Sequence, residues 1–208
     1  MRRTLIPIGA AVLLLSACTT TNGGTPSPSS PTSDQPTTSG SATGLPGPGV
    51  PKVESPIDVT HFKSAPCDAL TADQITGLLG PGVTPKTDLN APAGPSCSIH
   101  PPEVTQAGVL VIFTDVDDRG LTSLYAAKDV KYPFFMPLSP VDGYPVVAYG
   151  LADDRASRGT CQIAVGTSDQ QTVDIGVTQS EQNVGKTDPC EAARGVAASV
   201  LGNLREVK

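Results

Sequence analysis

The hydrophobic pattern is clearest near the C-terminus. Ala193, Val196, Ala197, Val200, Leu201 and Leu204 recur at helical spacing, the apolar stripe of a helix that packs on a sheet. Asp188 stands as its cap, Pro189 fits the first helical position, and Glu191 completes a capping box. Gly195 and Gly202 lower its intrinsic propensity, so packing has to hold it. An earlier helix is marked by Thr71 and Gln74 as a capping box, with Leu70 and Ile75 at the staple positions. Ile75, Leu78 and Leu79 form its apolar face, and Gly80-Pro81 stops it. Leu121, Leu124 and Tyr125 mark a further helix, entered from Asp117 or Asp118.

Strand patterns fill the intervals. Residues 83–89 give a weak strand, 97–99 a short one, and 108–116 a strong one rich in Val, Ile and Phe. Residues 146–149, 161–165 and 172–178 also read as strands; the last two alternate well and flank a turn at Ser168-Asp169. Three prolines interrupt the apolar run 133–140, which reads as an edge strand or an irregular loop. The expectation is one α+β domain with an antiparallel sheet of about five to six strands and helices packed mainly on one face.

The chain opens differently. Arg2 and Arg3 precede an apolar run from Leu5 to Leu15, the length signal peptides use and too short to span a bilayer. Leu15-Ser16-Ala17-Cys18 resembles the lipobox of bacterial lipoproteins. That resemblance implies cleavage after Ala17 and a diacylglycerol thioether on Cys18. Several acyl chains hold a protein on a membrane at about 0.8 kcal/mol per buried methylene. The expected division is a lipoprotein signal peptide over residues 1–17, a lipidated Cys18 with a disordered Thr/Ser/Pro/Gly tether over 18–58, and a globular domain over 59–208.

Composition narrows the function classes. Loss of Arg2 and Arg3 leaves 12 basic side chains against 20 acidic ones, a net of −8, which disfavours nucleic acid and anionic lipid headgroups as partners. There is no tryptophan, so a broad aromatic sugar platform is not expected. Setting Cys18 aside leaves Cys67, Cys97, Cys161 and Cys190, an even number suited to an oxidising compartment. Three pairings are possible. Cys67–Cys97 with Cys161–Cys190 is preferred because each closes a local loop and the two loops do not interleave. No C-x-x-C occurs, which disfavours zinc or redox roles.

Several of these motifs occur together: Pro66-Cys67 before a Leu-Thr helix, Ser96-Cys97-Ser98, Gly143-Tyr144-Pro145, Cys161-Gln162-Ile163-Ala164-Val165, and Asp188-Pro189-Cys190 before an Ala/Val helix. In them the chain resembles an actinobacterial cell-envelope lipoprotein family catalogued as a domain of unknown function, which includes mycobacterial Lpr-type lipoproteins. Ile99 and His100 stand where members of that family often carry an aromatic residue. The resemblance implies a compartment and disulfides, and no catalytic residues.

Chemistry is sparse. His61 lies at the tether edge, and His100 precedes two prolines near Ser96 and Ser98 without a nucleophile elbow. Asp115, Asp117, Asp118 and Gly120 superficially match a calcium loop, but Arg119 and Ala126 fall where oxygen ligands are needed. Asp153-Asp154-Arg155 reads as a solvated turn. No catalytic, metal or cofactor residues are therefore assigned. Phe134, Phe135, Tyr144 and Tyr149 are the candidate lining of a ligand or partner cleft. The expected function is a non-catalytic binding or interaction module, lipid-anchored on the extracytoplasmic face of the cell membrane. Its partner is an unknown envelope protein, wall component or small ligand. The alternative is a carrier holding a lipid or amphiphile in an apolar cavity between sheet and helices, and an envelope hydrolase is disfavoured.

Overall fold

In the computed structural model, residues 44–101 and 107–206 are described. The signal peptide, Cys18 and the tether as far as residue 43 lie outside the described residues. Among the described residues seven strands form one antiparallel sheet. They are β1 (Lys86–Asp88), β2 (Ser96–Ile99), β3 (Gly108–Phe113), β4 (Phe134–Val141), β5 (Tyr144–Gly150), β6 (Thr160–Ser168) and β7 (Gln171–Thr178). Their spatial order is β1-β2-β3-β7-β6-β5-β4. Two antiparallel runs therefore meet where β3 pairs with β7, which puts the last strand in the middle of the sheet. The count exceeds the expected five to six because the interrupted run 133–140 does pair, as edge strand β4. Its prolines are tolerated there, since an edge strand leaves half its backbone groups unpaired.

Five α-helices accompany the sheet among the described residues: α1 (Thr60–Ser64), α2 (Ala72–Leu79), α3 (Leu121–Ala126), α4 (Arg155–Arg158) and α5 (Pro189–Glu206). The capping box of α2 forms as expected, whereas at α5 Glu191 turns to Arg194 and only Asp188 caps. Thr71 accepts from the Gln74 backbone while Gln74 answers to the Thr71 N–H. The Asp188 carboxylate accepts from the Cys190 N–H at 2.8 Å. Between β4 and β5, Asp142 and Gly143 both take positive φ, the geometry of a two-residue hairpin turn. Helix α3 enters at Gly120 rather than at Asp117 or Asp118. A Cβ on Gly120 would stand 2.8 Å from the Asp169 carbonyl oxygen, so the close approach of that loop requires glycine.

Strand alternation separates two faces. Val173, Ile175 and Val177 of β7, with Ile163 and Val165 of β6 and Val111 of β3, turn toward α5. There Val196, Val200, Leu201 and Leu204 are almost wholly buried against them. Helices α1 and α2 add Phe62 and Ile75 to the same core. The second face carries a smaller cluster, Leu121, Val147, Tyr149 and Ala164, under α3. The disulfides are Cys67–Cys97 and Cys161–Cys190. The second ties β6 to the first turn of α5.

The segment 44–58, expected to belong to the disordered tether, is packed onto the domain. Val53 is buried and donates its N–H to Asp169 Oδ1 at 2.9 Å, and the Gly47 N–H donates to Thr122 Oγ1 at 3.1 Å. The Ile57 N–H reaches the Thr167 carbonyl, and Tyr144 donates to the Ser55 carbonyl. Its Pro/Gly/Ser composition resembles a linker, yet a few spaced apolar residues and satisfied backbone groups suffice to order it. The packed domain thus begins before residue 59.

Candidate functional site

The connection from β3 to β4 carries the chain from the middle of the sheet to its far edge, and α3 lies on that path. Because α3 is short, it covers only part of the second face. Beside it opens a cleft of about 710 Å³. Its floor is built from three neighbouring strands: Tyr149 of β5, Gln162 of β6, and Thr172 and Asp174 of β7. Register sets this arrangement. Asp174 stands between Ala164 of β6 and Ile112 of β3, and Gln162 lies opposite Gly176 one step along. Leu124, Ala127 and Tyr132 form the α3 side, while Val116 and Leu151 stand at the mouth.

The floor is a connected polar network. Tyr149 donates its hydroxyl to Asp174 Oδ2. Gln162 Nε2 donates to the Tyr149 oxygen at 2.6 Å and lies 3.4 Å from Asp174 Oδ2. Asp174 is 4 % exposed, and its Oδ1 has no hydrogen-bond partner. Burial is the largest influence on this carboxyl and pushes it up to about 6, against the Tyr149, Thr172 and Gln162 groups that favour its charged form. Tyr149 is held far above its ordinary range, first by burial and then by the adjacent Asp174 charge. Nearby, the Thr114 and Thr172 hydroxyls meet at 2.6 Å, and Gln171 Nε2 donates to the Thr114 carbonyl at 2.7 Å.

A second cavity of about 620 Å³ adjoins the first along Tyr149, Gly150 and Leu151 and is lined by His100, Leu110 and Phe134. His100 is exposed and lies over Gly108, where a Cβ would stand 2.0 Å from Nδ1. Among the described residues no hydrogen bond joins His100 to Ser96 or Ser98. His61 pairs with Asp68 at the surface. Asp115 pairs with Lys63 of α1, and Asp117 accepts from the Arg119 N–H and the Ser123 hydroxyl and so serves the turn into α3. Asp153 grips Arg155 at the start of α4, which holds the Asp153 carboxyl below its usual range.

The four aromatic residues expected to line one cleft do not all meet: Phe135 and Tyr149 are cross-strand partners on the second face, while Tyr144 lies on the other. Tyr149 forms the floor of the first cavity and also borders the second, which Phe134 lines as well. Phe135 packs edge-on against Tyr125 at 5.0 Å in the cluster beneath α3. Tyr144 belongs to the opposite face, within the α5 core. Adjacent residues, and residues five apart, point to opposite sides of a strand, so neither pair could share a face. Asp174 and Gln162 were not singled out from the sequence. Their signal is the polar face of two alternating strands, which acquires meaning only once β7 is known to be central.

Among the described residues no helix is long and apolar enough to cross a membrane. No curated protein and no solved structure matches the chain. Residues 13–203 match the family described as Protein of unknown function (DUF3558), and on that match the chain belongs to this family.

Proposed function

We propose that this protein is an exported lipoprotein of the actinobacterial Lpr type, anchored through Cys18 on the extracytoplasmic face of the cell membrane. It acts there as a non-catalytic binding module. The lipobox-like Leu15-Ser16-Ala17-Cys18 supports the anchor, and two disulfides suit an oxidising compartment. The observation that carries the binding reading is the 710 Å³ cleft, a size typical of small-ligand sites, with a few convergent polar groups on its floor. The floor holds an acid and a phenol but neither histidine nor cysteine, which favours recognition over nucleophilic chemistry.

The carrier reading retains only this open cleft, because large side chains fill the space between the sheet and α5. The test is crosslinking capture from the host envelope with the full chain and with Ala127→Phe, which fills the cleft from the α3 side. The ligand or partner should be captured by the parent and lost from a folded A127F protein, and equal capture by both refutes the cleft. Co-purifying lipid in native mass spectrometry of the same samples would favour the carrier. Metabolic palmitate labelling that disappears in Cys18→Ala tests the anchor.

A further inference from the structure

We propose that the cleft recognises a protonated amine carried on an apolar stem, with the ammonium group at Asp174 and the stem against Leu124, Val116 and Leu151. This rests on the cleft being a ligand site and names the chemistry of what it takes. Asp174 lines the floor, is 96 % buried as the complement of its 4 % exposure, and has one carboxylate oxygen with no donor. The groups that favour its charge are the neutral Tyr149 and Thr172 hydroxyls and the Gln162 amide, and no cation forms an ion pair with it among the described residues. A desolvated carboxylate with an unused acceptor is most strongly complemented by a charged N–H donor.

The walls decide what carries that donor. Val116 is 71 % exposed and Leu151 74 %, two large aliphatic side chains left open at the mouth of a cleft with a polar floor. Leu124, Ala127 and the Tyr132 ring continue the apolar wall inward. An occupant with its polar end deep and its apolar part outward covers both surfaces at once. Arg119 and Lys131 border the same cleft and oppose entry of a bare cation, so the stem has to contribute to binding. A calcium or magnesium ion is a poor fit. It needs six or more oxygen ligands, and the second carboxylate at the cleft, Asp117, is committed to Ser123 and the Arg119 N–H.

The test is a backbone-amide chemical-shift titration of the full-length protein in lipid nanodiscs with three water-soluble probes: n-butylamine, n-butanol and sodium butyrate. The amine should saturably shift the amides of Gly150, Gln162, Asp174 and Gly176. Its affinity should exceed that of the alcohol by about tenfold, and the carboxylate should leave these amides unmoved. Asp174→Asn should erase the preference for the amine while the alcohol still binds. Tyr149→Phe keeps the carboxylate and deletes one of its donors; titrated at pH 8, so that the carboxyl stays ionised, it should strengthen the preference and serves if the first variant does not fold. Butyrate binding as well as the amine, an unchanged preference in D174N or Y149F, or no shift with any probe would each overturn the inference. Alcohol or butyrate binding without amine preference would leave the cleft a ligand site of another class. Loss of the cleft itself is read separately, from the A127F capture.

Discussion

The buried Asp174 makes a stability prediction that needs no knowledge of the ligand. Its carboxyl titrates near 6 in the folded protein against an ordinary value of 3.8. Between these values the folded state holds a proton that the unfolded state has released. The protonated side chain therefore contributes its full stability below about pH 4, and that contribution is lost as the pH rises through about 6. At 1.36 kcal/mol per unit, the shift corresponds to about 3 kcal/mol. Asp174→Asn keeps the shape, can still accept from Tyr149, and does not titrate. It places an amide where Oδ1 has no partner, an offset of about 1–3 kcal/mol that is the same at every pH. The informative quantity is the difference in unfolding free energy between parent and variant, in which every other titrating group cancels. Urea unfolding followed by far-ultraviolet circular dichroism from pH 3 to pH 8 should show the parent losing about 3 kcal/mol relative to D174N. A difference that stays flat, or moves in the parent's favour, would refute the reading of Asp174 as a buried acid without a compensating charge.

The other expectations test the frame around the cleft. A chain trimmed to begin at Val59 should unfold at lower urea than one beginning at Gly44. It loses buried Val53 and the hydrogen bonds of the segment before it, about 2–4 kcal/mol together. Replacing Cys161 and Cys190 by alanine opens a crosslink with a separation of 29 residues and should cost about 3–4 kcal/mol, read from the same unfolding curves. Thr71→Ala removes the capping box of α2 and should cost about 1 kcal/mol, with the Cys67–Cys97 bond still formed by mass.

What could be read from the sequence, and what could not, divides along the range of the interactions. The α5 stripe, its Asp188-Pro189 start, the Thr71 capping box and the antiparallel strands depend on neighbours within a few positions, and all were legible there. The disulfide preference also held, since local loop closure decided it. The packed segment 44–58 was not legible. Val53 and Ile57 are ordered by Asp169 and Thr167, more than a hundred residues away, while their own neighbourhood reads as linker. The division of Tyr144 from Tyr149, and of Phe134 from Phe135, was within reach of strand parity alone.

The floor of the cleft was beyond any local pattern. It exists because Ile112 of β3 aligns with Asp174 of β7, while the other side of β7 pairs with β6, so that an acid on the polar face of an alternating strand becomes central. A polar side chain on such a face is ordinarily solvated. Here the α3 connection and Tyr149 close over it, and the same alternation that builds the α5 core leaves a carboxylate in the middle of the opposite face. The functional proposal therefore lives on sheet order, a long-range property, and the pH dependence of D174N tests whether that order has placed an uncompensated acid where the structure has it.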